Sequence, residues 1–127
     1  MLSRPFTGVI AAPMLPMHAD GSIHWGTLEH YMDWIANQKP AGIVMNVDAS
    51  EVIALSDEEQ LQVVRVCKRA IGGRVPFLSG VVAGSTRAAA VKSAHLRDAG
   101  AEGLTVFPPF PTFSGAPVPA EMIVRFH

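Results

Sequence analysis

The sequence predicts an α/β fold built on a parallel β-sheet, and three observations support this prediction. Short apolar runs of strand length alternate with segments whose apolar residues recur every three to four positions. This strand–helix unit occurs three times and is followed by a fourth strand, an order that requires parallel strands joined by right-handed crossovers. Of the 127 residues, 49% are hydrophobic and 17% are charged, which provides enough apolar material for a sizeable core.

Composition also limits the classes of function. The net charge is -1 and neither Lys nor Arg forms a run, so we expect no nucleic-acid partner and no membrane-surface binding. Cys67 is the single cysteine, and its place in a helical pattern predicts a small core residue. No window is long and apolar enough to span a bilayer, and no metal or cofactor is implied. These features favour a cytoplasmic protein.

The first strand–helix unit occupies the first forty residues. A first strand is predicted over Gly8–Met14, although Pro13 cannot donate to a ladder and belongs near a strand end. Asp20-Gly21 is a turn signal. The first helix then carries its buried stripe at spacings of three and four, at Trp25, Leu28, Met32 and Ile35. Lys39-Pro40 ends it.

The second unit contains the stretch around which the chain is organised. An apolar run beginning at Gly42 predicts a buried strand, and Asp48–Glu51 form the loop at its C-terminal end. In α/β proteins this end of a strand is where ligands bind. Ser56 and Glu59 form a capping box that starts the second helix, and Gly72-Gly73 ends it. The inward residues of this helix are expected to be Leu61, Val64, Cys67 and Ile71.

The remaining elements follow the same pattern. A third strand is predicted over Val75–Val82, and Ser85 caps a third helix that ends at Gly100. Gly103–Phe107 is the fourth strand. Regular structure is then excluded by prolines until a last helical pattern begins at Ala120, the prolines being Pro108, Pro109, Pro111, Pro117 and Pro119. Two architectures satisfy this order: an open doubly wound sheet, or the first half of a (β/α)8 barrel, which needs roughly 250 residues.

The residues carry a family resemblance over essentially the whole chain. Its marks are Gly8-Val9-Ile10, Pro16-Met17, Asp20-Gly21, Glu51, Leu55-Ser56-Asp57-Glu58-Glu59, Arg74-Val75-Pro76-Phe77, Gly80 and the proline-rich run after Val106. Together they resemble the N-terminal half of the dihydrodipicolinate synthase / N-acetylneuraminate lyase family. The resemblance implies a TIM barrel, of which residues 1–127 would hold βα units 1–3, strand 4 and the start of helix 4. It also implies a homo-oligomer and Schiff-base chemistry on pyruvate or another 2-oxo acid.

The resemblance places the substrate-binding loop after the second strand. The family uses backbone N–H groups and a threonine hydroxyl there to take the substrate carboxylate, and the matching residues here are Asp48, Ala49 and Ser50. Asp48 and Ala49 stand where the family has threonines, so Asp48 brings negative charge close to an anionic group. Phe110 corresponds to a tyrosine in a subunit-interface loop and lacks its hydroxyl.

The Schiff-base lysine and the relay tyrosine of the family correspond to positions beyond His127, so no catalytic residue is expected in this chain. Lys39, Lys68 and Lys92 fall on connections or helices and are expected to be solvated on the outer side of the barrel. Two hypotheses therefore remain open. The chain is either the N-terminal part of a 2-oxo-acid lyase or aldolase, inactive alone, or a non-catalytic half-barrel that self-associates or binds a partner protein.

Overall fold

The computed structural model describes residues 6–109, 115 and 117–126. Within these residues, four strands alternate with four α-helices, and two short 3-10 turns follow the second strand. The elements are β1 (Ile10–Ala11), α1 (Trp25–Asn37), β2 (Gly42–Met45), the 3-10 turns Asp48–Ser50 and Val52–Ala54, α2 (Asp57–Ile71), β3 (Phe77–Val81), α3 (Thr86–Ala99), β4 (Gly103–Val106) and α4 (Ala120–Phe126). Among the described residues, no helix combines the length and the apolar character needed to cross a bilayer.

The four strands form one parallel sheet in the order β1-β2-β3-β4. Spatial order follows chain order, and α1 packs on α2 and α2 on α3. A doubly wound sheet reverses its strand order at a switch point and carries helices on both faces. Here the order does not reverse and the helices share one face, which is the arrangement of half a (β/α)8 barrel.

The main core lies between the sheet and the helices. Ile43 and Met45 of β2 and Phe77 of β3 point into it and are fully buried. Leu28 of α1 and Val64 of α2 meet them from the helical side. The burial of these large apolar side chains is the principal force that fixes the helices on the sheet.

The opposite face of the sheet carries a second, smaller apolar cluster. Val44, Val47 and Leu78 are its buried members, and Phe107 packs against them. Val44 pairs with Leu78 in the ladder, so alternation along each strand places both side chains away from the helices. This face corresponds to the interior of a barrel.

The helix boundaries confirm the predicted caps. At the start of α2, Ser56 Oγ accepts from the amide of Glu59 at 3.2 Å, and Glu59 Oε2 accepts from the amide of Ser56 at 2.8 Å. Ser85 Oγ accepts from the amide of Ala88 at the start of α3. Gly72 ends α2 with φ 59°, a left-handed conformation that glycine adopts without steric cost.

Two predicted strands are shorter than expected. The first covers two residues, Ile10–Ala11, and the third begins at Phe77, directly after Pro76. Proline has no amide hydrogen for the ladder, and Pro13 and Pro76 lie close to where pairing stops. Leu61, expected to point inward, is partly buried and packs against the main core.

Candidate functional site

The loop after β2 is a compact turn bounded by two strained residues. Asn46 has φ 57° and Glu51 has φ 54°, both in the left-handed region that residues with a side chain rarely adopt. Between them, Ser50 donates its amide to Val47 O at 3.0 Å, and Glu51 donates to Asp48 O at 2.9 Å. Strain of this kind persists only where surrounding contacts fix the backbone, and it often marks functional loops.

The three residues expected to bind substrate lie together in this turn. Asp48 and Ala49 are exposed at the C-terminal edge of the sheet. Ser50 is fully buried, and its hydroxyl accepts from the amide of Val47 at 2.9 Å and donates to Val47 O at 3.0 Å. The hydroxyl of Ser50 therefore fixes the shape of the turn. Phe110, expected in the subunit-interface loop, lies outside the described residues.

The exposed rim of the turn presents unsatisfied backbone donors. Among the hydrogen bonds between described residues, neither the amide of Asp48 nor that of Ala49 has an acceptor. The carboxylate of Asp48 likewise has no ion-pair partner in the described part of the chain. Successive free N–H groups in a tight turn form a concavity that suits an anion such as a carboxylate.

Asn46 connects the turn to β3 and α2 by hydrogen bonds. It is fully buried, and its Nδ2 donates to Ser79 Oγ of β3 at 3.0 Å and to the carbonyl oxygen of Gln60 in α2 at 3.1 Å. No described group donates to its Oδ1. The two donated bonds join β2, β3 and α2 at the point where the backbone adopts its left-handed conformation.

Gln60 and Lys92 extend this polar cluster outward. Gln60 Nε2 donates to Val52 O at 3.3 Å and to Leu55 O at 3.1 Å, both in the second half of the loop. Lys92 of α3 donates from Nζ to Gln60 Oε1 at 3.2 Å. The side chain of Gln60 thus connects the loop to the ammonium of Lys92 on α3.

Gly80 allows the close approach of the loop to β3. A Cβ at this position would overlap the carbonyl oxygen of Asn46 and lie 2.8 Å from its carbonyl carbon. It would also lie 3.1 Å from a side-chain carbon of Val47. Only glycine therefore fits beside the turn, which gives a physical reason for one of the sequence marks.

The expectation for the lysines is wrong at one position. Lys39 is exposed, and Lys68 forms a partly exposed ion pair with Glu102 at 2.9 Å. Lys92 is not a solvated surface residue: its side chain is 19% exposed, because Nζ is enclosed between α2, α3 and the end of β3. Its three polar partners replace the water that a surface ammonium would bind.

Cys67 lies in the main core. Burial raises the pKa of its thiol to about 12, because the charged thiolate cannot be solvated there. A thiol is nucleophilic only as the thiolate. The geometry therefore agrees with the expectation that Cys67 is a packing residue.

Sequence reasoning missed Asn46, Gln60 and Lys92 as parts of the site. For Gln60 and Lys92, the helical spacing of apolar residues could have indicated that the side chain is buried. Gln60 precedes Val64, Cys67 and Ile71 on the buried stripe of α2, and Lys92 lies between Ala89 and Leu96 on that of α3. A polar residue on an otherwise apolar stripe must find hydrogen-bond partners inside the protein.

Comparison with known proteins identifies the family. The model of the dihydrodipicolinate synthetase family matches residues 5–116. A 4-hydroxy-tetrahydrodipicolinate synthase from Gluconacetobacter diazotrophicus is 30% identical over 110 residues, which are 87% of this chain and 37% of that protein. A probable 5-dehydro-4-deoxyglucarate dehydratase from Bradyrhizobium sp. is 32% identical over 112 residues, or 88% of this chain and 36% of that protein.

A solved structure agrees with these relatives. The chloride-inhibited dihydrodipicolinate synthase from Acinetobacter baumannii, complexed with pyruvate, superposes with a TM-score of 0.87 at 29% identity. The superposition covers 96% of this chain and 40% of that one, so the chain spans little more than a third of its relatives. This coverage confirms the predicted fold, the N-terminal half of a (β/α)8 barrel. The chain belongs to the dihydrodipicolinate synthetase family.

Proposed function

We propose that the chain is the N-terminal part of a class I, Schiff-base aldolase or lyase that acts on pyruvate or another 2-oxo acid. Family membership supports the reaction class, and the Acinetobacter relative, which was solved with pyruvate, supports the substrate class. The observation that carries the proposal is the turn after β2: Asp48 and Ala49 are exposed at the C-terminal edge of the sheet, and their amides have no acceptor among the described residues.

In this proposal, the turn holds the substrate carboxylate. The amides of Asp48 and Ala49 donate to its oxygens, and buried Ser50 fixes the turn through its two hydrogen bonds to the backbone of Val47. The reaction also needs an unprotonated amine in a water-poor site. Lys39 is exposed, and Lys68 and Lys92 are held in ion pairs, so none of the three meets that requirement. In this proposal the amine belongs to the rest of the barrel, and this chain alone is inactive.

Asp48 sets the strength of this contact. Its carboxylate is next to the bound anion, and two unit charges about 4 Å apart in water repel by about 1 kcal/mol. Replacement by asparagine removes the charge and keeps the size of the side chain. Asp48→Asn should therefore bind pyruvate about fivefold more tightly, while the melting temperature stays nearly unchanged because the side chain is exposed.

The proposal is tested by titrating the 15N-labelled chain with pyruvate and following its amide resonances. The amides of Asp48 and Ala49 should shift with a common dissociation constant. Methyl pyruvate, which lacks the charged carboxylate, is the matched control and should leave them in place. Shifts that are equal for the acid and the ester, or confined to other parts of the chain, would refute the assignment of the turn.

A second candidate, a non-catalytic half-barrel, is favoured by the edges of the sheet. In the described part of the chain, β1 and β4 each have a neighbour on one side only. Apolar side chains are exposed near these edges: Val9 is 74% exposed, Ile10 39% and Leu104 36%. Unpaired strand edges and exposed apolar surface favour association, so we propose that the chain forms homo-oligomers or binds a partner protein through them.

A further inference from the structure

Lys92 lies at the junction of three elements. Its Nζ is 2.8 Å from Asp57 Oδ1 at the start of α2, 3.2 Å from Gln60 Oε1 and 3.2 Å from Val82 O, just after β3. The ammonium thus donates two hydrogen bonds and forms one ion pair. The side chain borders an open groove of about 650 Å³ between α2 and α3.

The side-chain amide of Gln60 connects Lys92 to the loop. Its amide nitrogen donates to Val52 O and Leu55 O, while its amide oxygen accepts from Lys92. A rotation of the amide by 180° would place the oxygen against two carbonyl oxygens and the NH2 group against an ammonium. The ammonium of Lys92 and the two carbonyl oxygens therefore favour the same orientation of the amide, the one that holds the loop.

The main chain of Gln60 is involved as well. Its carbonyl oxygen accepts from Asn46 Nδ2, so the same residue contacts both ends of the turn. Hydrogen bonds buried between helices and sheet are stronger than those in water, and their loss leaves groups that water does not reach. Displacement of Gln60 would loosen the turn at Asn46 and at Val52 together.

We propose that Lys92 is a positioning residue for the substrate-binding turn. By orienting Gln60, it keeps the segment from Val47 to Leu55 in the conformation that aims the amides of Asp48 and Ala49 at a carboxylate. The inference rests on the proposed function for what the turn binds. That Lys92 holds the loop after β2 in place is argued only from the hydrogen bonds of Lys92 and Gln60, whatever the loop binds.

The experiment uses the 127-residue chain with Lys92→Ala and measures hydrogen exchange of amides in the loop. The amides of Ser50, Glu51, Ala54 and Leu55 all donate within the loop and report its opening. Loss of the ammonium should increase their exchange about tenfold, the size expected when a charge-assisted hydrogen bond is lost. Amides of α1 should be unaffected.

Lys68→Ala is the matched control. Lys68 also lies on a helix of the same layer and forms an ion pair at 2.9 Å, but its partner Glu102 is remote from the loop in sequence and connects to Phe77. This variant should not change exchange in the loop. Equal increases in both variants, or no increase with Lys92→Ala, would overturn the proposal.

Chemical rescue separates positioning from packing. Lys92→Ala lacks three carbons and the ammonium, and n-propylammonium supplies all four atoms through the open groove. It should restore slow exchange in a saturable manner, whereas tetramethylammonium, which has no N–H donor, should not. Rescue by both cations or by neither would contradict the role of the donors. If Lys92→Ala does not fold, Lys92→Met keeps the aliphatic contacts and is judged by the exchange result alone.

Pyruvate titration of the same variants separates this inference from the proposed function. If both hold, Lys92→Ala weakens pyruvate binding and n-propylammonium restores it. If exchange responds as expected but pyruvate does not bind even to the unmodified chain, the positioning role stands and the assignment of the turn fails. If pyruvate binds equally well to both proteins while exchange is unchanged, the positioning role fails.

Discussion

Substitution of Gly80 by alanine tests the close approach between β3 and the loop. The added Cβ would overlap the carbonyl oxygen of Asn46 and lie 2.8 Å from the carbonyl carbon. These are main-chain atoms, so no change of rotamer relieves the overlap. The strand and the loop must separate, which strains the left-handed conformation of Asn46 and its bond to Ser79. Overpacking of a well-packed interior costs about 1–3 kcal/mol, and a clash with main-chain atoms belongs at or above the top of that range, about 3 kcal/mol.

Gly84→Ala is the matched control, because a Cβ at Gly84 would meet nothing within 4 Å and its φ is not left-handed. It should change the free energy of unfolding by less than about 1 kcal/mol, or raise it by restricting the unfolded chain. Urea unfolding, followed by far-ultraviolet circular dichroism, measures both variants. A Gly80→Ala variant whose free energy of unfolding stays within about 1 kcal/mol of the parent would refute the packing described for the turn.

Three further predictions concern other parts of the chain. The hydrogen bonds from Ser56 lower the pKa of Glu59 below its usual 4.5, so its contribution to stability is present above the unfolded-state pKa and is lost as pH falls through the folded-state pKa. The difference in urea midpoint between the parent and Glu59→Gln should therefore disappear in acid; a difference that grew in acid would contradict this sign. Cys67 should react with a thiol reagent at pH 8 only after urea unfolding, and rapid labelling of the folded chain would show that the core opens there. Sedimentation at micromolar concentration should show association through β1 and β4, and a stable compact monomer would count against the open sheet edges.

The sequence predicted features that depend on neighbours along the chain. The capping box of Ser56 and Glu59 lies within four residues of sequence. Gly72 ends α2 through its own left-handed conformation, so no distant residue is required. The alternation of strands and helices predicted the parallel sheet. The choice between a doubly wound sheet and half a barrel needed the family resemblance or the structure, because local periodicity does not determine on which face a helix packs.

The side-chain contacts that hold the candidate site in place were not predictable from neighbouring residues. Asn46 and Ser79 are 33 residues apart, and Lys92 is 32 residues from Gln60, so neither contact leaves a local pattern. Lys92 was expected to be solvated because most lysines are. Its position on an apolar stripe was informative, but its partners lie in α2 and in the residue that follows β3, which only the fold brings together.

We propose that this chain holds the carboxylate part of a Schiff-base site and not the amine. The most direct test is to incubate the chain with pyruvate and borohydride and to search by mass spectrometry for a reduced adduct. We predict no labelling of Lys39, Lys68 or Lys92 beyond that of the urea-unfolded chain. Lys39 is exposed, and the other two lysines are held in ion pairs with carboxylates. Saturable labelling of one lysine, abolished by unfolding, would contradict the account.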